Sequence, residues 1–540
     1  MRYRRAIGGQ LRRLDRFGEC RPGGGLAKLG RGGAAAHDAQ DRHQRDDAHA
    51  SQGRFRHLAL LCAAALLMAA AGGSLGAEPP PVASPAPNPL PDGPETPISL
   101  EEALAIGLRD NRTIRSAYLQ RISQRFDFRV GTTPFRPIIA IRASVDDVRY
   151  PGGGTPMATL SPTVSWRLPT GGAMNFSWTR SEGLGGGSAS GSETTSLSVT
   201  QPLLRGAGID VNMAPVRQAR LQEEINQLQL RDTVARTVSA IIFSYRRLLR
   251  AQEQVRLAEL SLRRTQNLLE TNRAMIEAGR MAASDIVQAE SSLANQEVAL
   301  LETRQQLTSA QLDLLQLLAV DPRTNIVAAD EIEVEPAVID LDRVIALGLA
   351  SRTDVRAQQN ALERARIALR LARNDRLWDL TARADVSHRT IEDPALGGPL
   401  DLGTDVRVGL QLQIPLNDLT ARQREIQASV SLQTQQLQYE NLLQSAEISI
   451  LDAVRRVEAS WRQLESARRA KALSERALDV QQERLRVGRA SNFEVLSLQA
   501  DLQRADVQEL SASIAYLDAL TALDEFIGST LDTWGIELND

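Results

Sequence analysis

The sequence has very few of the residues that carry thiol, metal and phosphate chemistry. Of its 540 residues only two are Cys and five are His, and all of these except His388 lie within the first 77 positions. This excludes disulfides, thiol catalysis and multi-His metal sites from the rest of the chain. Lysine occurs only at Lys28 and Lys471, and neither belongs to a Gly-Lys-Ser or Gly-Lys-Thr loop, so there is no P-loop. We therefore expect no cofactor, no bound metal and no enzymatic activity.

The chain also lacks a strong net charge and an apolar run long enough to span a membrane as a helix. Its formal net charge is −3, which gives no reason to expect a nucleic-acid partner. One short apolar run, residues 58–71, follows Arg54 and Arg56 and leads into small residues. This pattern is typical of a secretory signal peptide. We interpret residues 1–77 as a leader, with a start codon placed too far upstream, and the Pro-rich residues 78–97 as a linker.

Cys62 offers an alternative interpretation of the leader, namely a lipidated signal sequence. Lipidation normally requires a small residue just before the Cys, whereas Leu61 precedes Cys62 in the middle of the apolar run. Cleavage near residue 77 is therefore favoured, and lipidation of Cys62 stays open.

Two similar segments mark corners where one predicted helix ends and another begins. Gly279-Arg280 and Gly488-Arg489 lie 209 positions apart, and each Gly is followed six residues later by an acid, Asp285 or Glu494. Gly suits the left-handed end of a helix, and a carboxylate suits the first turn of the next helix. Two such corners in matching places indicate an internal duplication.

A second pair of similar segments opens the two halves of the chain. Residues 98–108 and 339–349 share an apolar helix pattern and lie 241 positions apart, and Ser99 with Glu102 forms a capping box. Because 241 exceeds 209 by 32, the first half holds 32 extra residues. We assign residues 98–320 to a first repeat, 321–338 to a connector, 339–528 to a second repeat and 529–540 to a C-terminal tail.

Alternating apolar and polar residues predict strands in both repeats, at about 138–204 and 380–416. Segments of about ten residues with one apolar face suit a transmembrane β-barrel, and a soluble sandwich is the alternative. His388 shares the apolar register near a strand end, where we expect an interfacial role rather than catalysis. The side chains predicted to face lipid are Val406, Val408, Leu410, Leu412, Trp166 and Trp178.

The 32 extra residues of the first repeat are explained by one additional predicted hairpin, at residues 158–180. Flanking segments 149–157 and 181–192 are Gly-rich and are expected to be loops. The rest of each repeat is helical, with residues 209–275 and 421–486 each predicting a helix of roughly 100 Å. Shorter heptad-patterned helices follow the corners. The two shorter helices of each repeat together match one long helix in length, so we expect them to stack end to end.

The ordered and duplicated set of openings, strand exits and corners over residues 98–528 resembles the TolC family of outer-membrane efflux channels. The strand exits are Gln201-Pro202-Leu203 and Ile414-Pro415-Leu416. The resemblance implies a homotrimer in the cell outer membrane. Its fold is mainly α, with long antiparallel coiled-coil helices forming an α-barrel tunnel and with strands of all chains shared in a transmembrane β-barrel. It also implies a periplasmic adaptor (membrane fusion) protein and an inner-membrane pump as partners.

The resemblance also assigns roles to the corners. Asp285 and Glu494 are expected to form the entrance constriction of the tunnel, and Glu494 falls on the matching acidic position of the related family. Plain helix ends and helix caps are the alternative roles of the corner residues. The residues expected at the periplasmic tip, where the adaptor docks, are Gly279, Arg280, Val487, Gly488 and Arg489.

The expected function is passive export of small molecules from the periplasm or cytoplasm through a channel that a separate pump energises. Alternatives are the same channel serving type I protein secretion or metal efflux, or a non-channel periplasmic coiled-coil protein. The scarcity of Met, His and Cys mildly disfavours a metal cargo. The family pattern gives twelve strands per trimer, whereas the hairpin at 158–180 would give eighteen unless it folds outside a twelve-stranded barrel.

Overall fold

The computed structural model describes residues 95–538 apart from 151–152, 186–190, 280–281, 283–284, 394–397, 417 and 488. Within these residues the chain is mainly helical and carries one six-stranded sheet, which confirms a mainly α fold with a β-sheet portion. Closure of this sheet into a barrel stays a prediction. The first repeat and the strand before it contain β1 (Thr96–Ile98), α1 (Leu100–Asp110), α2 (Arg112–Thr132), β2 (Ile138–Tyr150), β3 (Gly153–Arg167), β4 (Ala173–Gly183), β5 (Gly191–Pro202), α3 (Ile209–Asn212), α4 (Ala214–Glu277) and α5 (Asp285–Leu318).

The second repeat follows the same order without the extra hairpin. Its preceding strand, its elements and the tail helix are β6 (Ile326–Ala328), α6 (Leu341–Ser351), α7 (Thr353–Asn374), β7 (Asp379–Asp393), β8 (Gly398–Gln413), α8 (Thr420–Arg486), α9 (Asn492–Ile527) and α10 (Thr530–Thr533). The helices α4 and α8 contain 64 and 67 residues. At 1.5 Å per residue each is about 100 Å long, as expected.

The openings of the two repeats begin with side-chain caps. The predicted capping box is present at Ser99, whose hydroxyl accepts from the backbone N–H of Glu102 while the Glu102 carboxylate accepts from the Ser99 N–H. In the second repeat the Asp340 side chain accepts from the backbone N–H of Arg343 at 3.4 Å. Both caps satisfy helix N–H groups that would otherwise lack partners.

The shorter helices of each repeat stack end to end, as their lengths predict. The Asn111 side-chain amide at the start of α2 donates to the carbonyl of Leu317 at the end of α5, at 2.7 Å. The guanidinium of Arg352 at the start of α7 donates to the carbonyl of Phe526 at the end of α9, at 3.3 Å. These donors lie 241 positions apart and the acceptors 209, so the duplication extends to the contact itself.

The same junction has left-handed backbone in both repeats. Gly528 ends α9 with φ of 79°, and the residue 209 positions earlier, Ala319, has φ of 55°. Ala319 is the one non-Gly residue with positive φ among the residues described. An L-residue with a Cβ is strained in this conformation, whereas Gly is not.

A close helix crossing is repeated as well. A Cβ added to Gly107 of α1 would lie 2.3 Å from Cδ1 of Ile241 in α4. A Cβ added to Gly348 of α6 would lie 2.5 Å from Cδ1 of Ile450 in α8. Both Ile side chains are fully buried. Each repeat therefore uses a Gly to bring its opening helix against its long helix.

The six-stranded sheet is antiparallel throughout and has the order β2-β3-β4-β5-β7-β8. The extra hairpin is β3–β4, which lies inside the sheet between β2 and β5. Its strands are longer than predicted. Most of the described residues in the expected loops at 149–157 and 181–192 are strand, because Gly, Ser and Thr residues there continue the ladder, for example Gly154 opposite Arg149. Residues 151–152 and 186–190 of these segments lie outside the described residues.

A small parallel pair, β1 with β6, was not predicted. It joins the end of the predicted linker to the predicted connector, with Ile98 opposite Ala328. Tyr245 lies beneath it and donates from its hydroxyl to the Asp330 carboxylate at 2.8 Å. Burial and this carboxylate raise the pKa of Tyr245. No helix among the residues described is long and apolar enough to cross a membrane.

We predict that the Gly107–Ile241 contact limits the stability of the first repeat. Gly107→Ala should lower the melting temperature of the detergent-purified protein, because overpacking of a core costs about 1–3 kcal/mol. Ile241→Val removes the Cδ1 atom that the new methyl group meets, so the double variant should recover part of the loss.

The control is Gly409→Ala, whose Cβ would meet nothing within 4 Å. It should leave the melting temperature nearly unchanged. A double variant that is less stable than expected from the two single variants would contradict the assigned contact.

Candidate functional site

One face of the six-stranded sheet carries an apolar band that runs from edge to edge. The strand registers place Trp166 opposite Met174, Phe176 opposite Leu197, and Ala384 opposite Val408, all on the same side. The six residues predicted to face lipid therefore share one face. The apolar residues of this face are Ile139, Ile141, Ala143, Val145, Leu160, Val164, Trp166, Met174, Phe176, Trp178, Leu197, Val199, Leu380, Ala382, Ala384, Val386, Val406, Val408, Leu410 and Leu412.

These side chains are not covered by the rest of the chain. Val408 is 80% exposed, Ile141 73% and Leu410 72%. Exposed apolar patches of more than a few hundred Å² mark interaction surfaces in soluble proteins, or contact with lipid. A soluble sandwich would bury this face against a second sheet, and no second large sheet is present among the residues described.

The opposite face of the sheet is polar and rich in hydroxyl groups. Cross-strand hydrogen bonds join Ser161 to Thr179 at 3.0 Å and Ser177 to Ser196 at 2.7 Å. Arg407 and Asp385, directly opposite each other on β8 and β7, lie on this face. The sheet thus separates an apolar side from a water-compatible side, as in strands of a transmembrane barrel.

Two Trp residues lie towards the two ends of the apolar face. The indole N–H of Trp166 donates to the carbonyl of Phe135 at 2.8 Å, on the side where the helices begin. The indole N–H of Trp178 donates to the Glu193 carboxylate at 2.7 Å, towards the far end. Aromatic rings with a satisfied polar group suit the boundaries between lipid and water. This placement supports the predicted lipid-facing role of both residues.

His388 lies on the apolar face near its far end, as predicted. Its Nδ1 lies 3.1 Å from the hydroxyl of Thr404 and its Nε2 lies 3.6 Å from the Asp401 carboxylate. Within the described ranges no group of three or more His, Cys, Asp or Glu side chains could hold a metal ion. The surroundings of His388 favour an interfacial role.

The helical tip lies at the other end of the long helices, about 100 Å from the sheet. Gly279 has φ of 69°, the left-handed helix end that its sequence predicts, and its N–H donates to the carbonyl of Ile276. At the second corner the N–H of Arg489 donates to the carbonyl of Arg484 at 2.8 Å. Gly279, Val487 and Arg489 are exposed. The predicted tip residues Arg280 and Gly488 lie outside the described residues.

Glu494 occupies the third position of α9 and caps the helix. Its carboxylate accepts from the backbone N–H of Ser491 at 3.1 Å and from the side-chain amide of Gln481 at 2.7 Å. The Ser491 hydroxyl accepts from the Glu494 N–H in return. Capping therefore accounts for Glu494, and its role in a constriction stays a prediction. Asp285 begins α5, but its side chain lies outside the described part of the chain.

A buried polar pair at the tip was missed by the sequence reasoning. The side-chain amide of Asn272 in α4 donates to the side-chain oxygen of Asn492 in α9 at 2.9 Å, and both residues are buried. The apolar residues Leu268, Val495 and Leu502 surround this region. The bond joins the first corner to the second. The sequence gives little signal for it, because α4 contains other Asn residues and Asn492 is the first residue of α9.

Comparisons with known proteins agree with this geometry. Residues 167–320 match the family described as outer membrane efflux protein. No curated protein matches the sequence. Among solved structures, the chain is similar to the outer membrane protein VceC from Vibrio cholerae, with 17% identity, a TM-score of 0.62, and coverage of 79% of this chain and 96% of that chain.

Two further channels have the same fold. The CmeC outer membrane channel of Campylobacter jejuni shares 12% identity with a TM-score of 0.62, over 84% of this chain and 94% of that chain. The MtrE outer membrane channel of Neisseria gonorrhoeae shares 18% identity with a TM-score of 0.55, over 79% of this chain and 88% of that chain. The family match and the shared fold confirm the predicted resemblance to outer-membrane efflux channels.

We predict that charge on the apolar face of the sheet blocks assembly, whereas charge on the polar face does not. Val408→Arg should strongly reduce the yield of detergent-resistant oligomer, because Arg at a mid-bilayer lipid-facing position costs roughly 2–4 kcal/mol. Gln411→Arg, on the opposite face of the same strand, is the matched control. Equal yields of oligomer from the two variants would contradict the register.

Proposed function

We propose that this chain assembles as a homotrimer into an outer-membrane channel-tunnel that passively exports small molecules when it is docked to a periplasmic adaptor and an energised inner-membrane pump. The observation that carries the proposal is the exposed apolar face that runs unbroken across a six-stranded sheet whose other face is polar. Such a sheet fits a membrane barrel wall that has lipid outside and water inside.

The edges of the sheet support assembly from several copies. Among the strands that the structure describes, β2 and β8 each have a neighbour on one side only. Unpaired backbone groups cannot face lipid, so a membrane barrel must close. The β8 edge of one copy can pair with the β2 edge of the next copy. The number three comes from the related family.

The helices next to these edges support the same interface. The residues just before β2, on α2, include exposed Leu119 (68%), Ile122 (67%) and Phe126 (61%). The residues just after β8, on α8, include exposed Val430 (55%) and Leu437 (61%). Both stripes have helical spacing and are uncovered in the single chain. Pairing of β8 with β2 brings α8 of one copy beside α2 of the next and buries both stripes.

Adaptor docking at the tip is supported by position and exposure. All connections between helix and sheet lie at one end of the sheet, because β2 and β7 begin there and β5 and β8 end there. The corners at Gly279 and Arg489 therefore lie at the opposite end, towards the inner membrane if the sheet is in the outer membrane. A passive tunnel has no energy source that could drive transport, so export through it depends on a pump.

The proposal is tested with the detergent-purified full chain. We expect native mass spectrometry to find three copies and planar bilayers to show single-channel currents. A protein that fractionates with the soluble periplasm and gives no current would instead support the alternative of a periplasmic coiled-coil spacer. If the channel instead exports a secreted protein or a metal ion, both measurements would give the same result. Transport assays with those cargoes would then distinguish these alternatives.

We predict that Arg489 contributes to docking. Arg489→Glu should reduce export in cells, more strongly when combined with Arg280→Glu, while the amount of trimer in the outer membrane stays constant. The matched control is Arg422→Glu, an exposed Arg near the sheet end of α8. Undiminished export by the double variant would place docking elsewhere.

We predict that the charge of Glu494 acts at the tunnel entrance in addition to its capping role. Glu494→Gln keeps a side chain that can complete a capping box but removes the charge, whereas Glu494→Ala removes both. If the charge constricts the entrance, both variants should lower cation preference or raise the open current in planar bilayers, because acidic rings favour cations.

A role in capping alone gives a different result. Glu494→Ala would then lower the free energy of unfolding by about 1 kcal/mol, the usual effect of losing a helix cap. Glu494→Gln would leave the free energy of unfolding unchanged. Both variants would keep the conductance and selectivity of the unmodified channel.

A further inference from the structure

The hairpin β3–β4 is paired on both of its sides. Leu160 of β3 lies opposite Ala143 of β2, and Phe176 of β4 lies opposite Leu197 of β5. Consequently β2 and β5 do not pair with each other, whereas their counterparts in the second repeat, β7 and β8, pair directly. The hairpin is inserted into the sheet rather than attached to its edge.

The turn of the hairpin is fixed against the exit of β5. The carbonyl of Thr170 accepts from the N–H of Gly208 at 3.0 Å and from the side-chain amide of Gln201 at 3.2 Å. Gly171 has φ of 98°, and a Cβ added there would lie 2.2 Å from the carbonyl oxygen of Gly206. The turn is therefore held by the segment that leads into the long helix α4.

Both faces of the hairpin continue the faces of its neighbours. Val164, Trp166 and Phe176 extend the apolar face. On the other side, the hairpin presents the hydroxyl groups of Thr159, Ser161, Ser177 and Thr179, with Arg167 at its helix end. A hairpin folded outside a barrel would bury its apolar side chains in some other way or leave them in water.

We propose that this hairpin is a segment of the barrel wall, so that the barrel has eighteen strands instead of twelve. The inference rests on the proposed trimeric channel, since six strands per copy in three copies make eighteen. Barrel diameter grows roughly linearly with strand number, so the outer opening is about 1.5 times as wide as that of a twelve-stranded barrel.

The side chains on the polar face of the hairpin determine the chemistry of the part of the lumen that it would add. Most charged residues of the polar face lie on other strands, for example Arg142 on β2, Arg383 on β7 and Arg407 on β8. The hairpin contributes Arg167, opposite Ala173 at the helix end of β3, and otherwise presents mainly Ser and Thr hydroxyl groups, as β5 does. Beyond Arg167 the widened sector of the lumen is therefore hydrophilic and largely uncharged, which suits bulky polar solutes.

The first experiment removes the hairpin. Residues 151–190 are replaced by Pro-Ala-Leu-Gly, the sequence that joins β7 to β8 at 394–397, which gives the first repeat the strand pattern of the second. The measurement is the largest polyethylene glycol that enters the channel from the sheet side in planar bilayers. One-sided entry is used because the distant tunnel entrance limits the total current.

If the hairpin is part of the wall, the radius of the largest polymer that enters should fall by about one third. An unchanged or larger radius would show that the hairpin lies outside a twelve-stranded barrel and would overturn the inference. The unmodified chain serves as the test of the proposed function, because absence of any current from it contradicts the channel itself.

The second experiment does not depend on the deletion variant folding. Single Cys residues are placed at Ser177, on the polar face of the hairpin, and at Phe176 and Val408, on the apolar face. The chain has no native Cys beyond residue 77, so labelling of the processed protein in membranes reports these positions alone. The reagent is a membrane-impermeant maleimide.

The expected result is labelling of Ser177→Cys and protection of Phe176→Cys and Val408→Cys. Labelling of both hairpin positions with Val408→Cys protected would mean a barrel without the hairpin and would overturn the inference. Labelling of all three would mean that no face of the sheet contacts lipid, which contradicts the proposed function as well.

Discussion

The two unpaired edges of the sheet are the constraint on which the rest of the structure depends. A lipid environment offers no hydrogen-bond partners to backbone N–H and C=O groups, so a sheet with an apolar outer face must have no free edge. In the six-stranded sheet β2 and β8 form the two edges. A helix precedes β2 in the chain, and a helix follows β8. The exposed apolar stripes on α2 and α8 lie next to those edges, so sheet and helices require the same neighbour.

The duplication explains how one chain supplies two similar sets of helices and strands. The landmarks before the sheet recur after 241 residues and those after the sheet after 209, down to the junction contacts of Asn111 and Arg352. The two repeats differ in backbone strain and in strand number. Ala319 adopts the left-handed conformation that Gly528 adopts in the second repeat, and only the first repeat carries the inserted hairpin.

Much of this architecture could be predicted from sequence because it depends on local periodicity. Helices with heptad spacing, the Ser99 capping box, the left-handed Gly279 and the apolar faces of the strands all follow from residues close together in the chain. The Gly-rich sequence around residues 149–157 predicts loops, whereas the described residues there are strand, because paired antiparallel strands tolerate Gly.

The features that were not predicted depend on residues far apart in the chain. The parallel pair of β1 with β6 joins segments more than 200 residues apart, and Asn272 is separated from Asn492 by 220 residues. For the same reason the sequence does not predict whether the hairpin lies inside the sheet. At Glu494 the sequence indicated the cap, but the bond from Gln481 required the packed corner.

The uncovered stripe on α2, represented by Leu119 and Phe126, implies an order of events during assembly. The stripe lies on a helix beyond the sheet, where the surroundings are aqueous, so the hydrophobic effect there favours association of copies. In a membrane, the apolar sheet face would gain nothing comparable from a neighbouring copy, because lipid tails are as apolar as its side chains. In the proposed oligomer, the helices therefore supply the free energy that brings the copies together, and the backbone hydrogen bonds of the strands close the sheet.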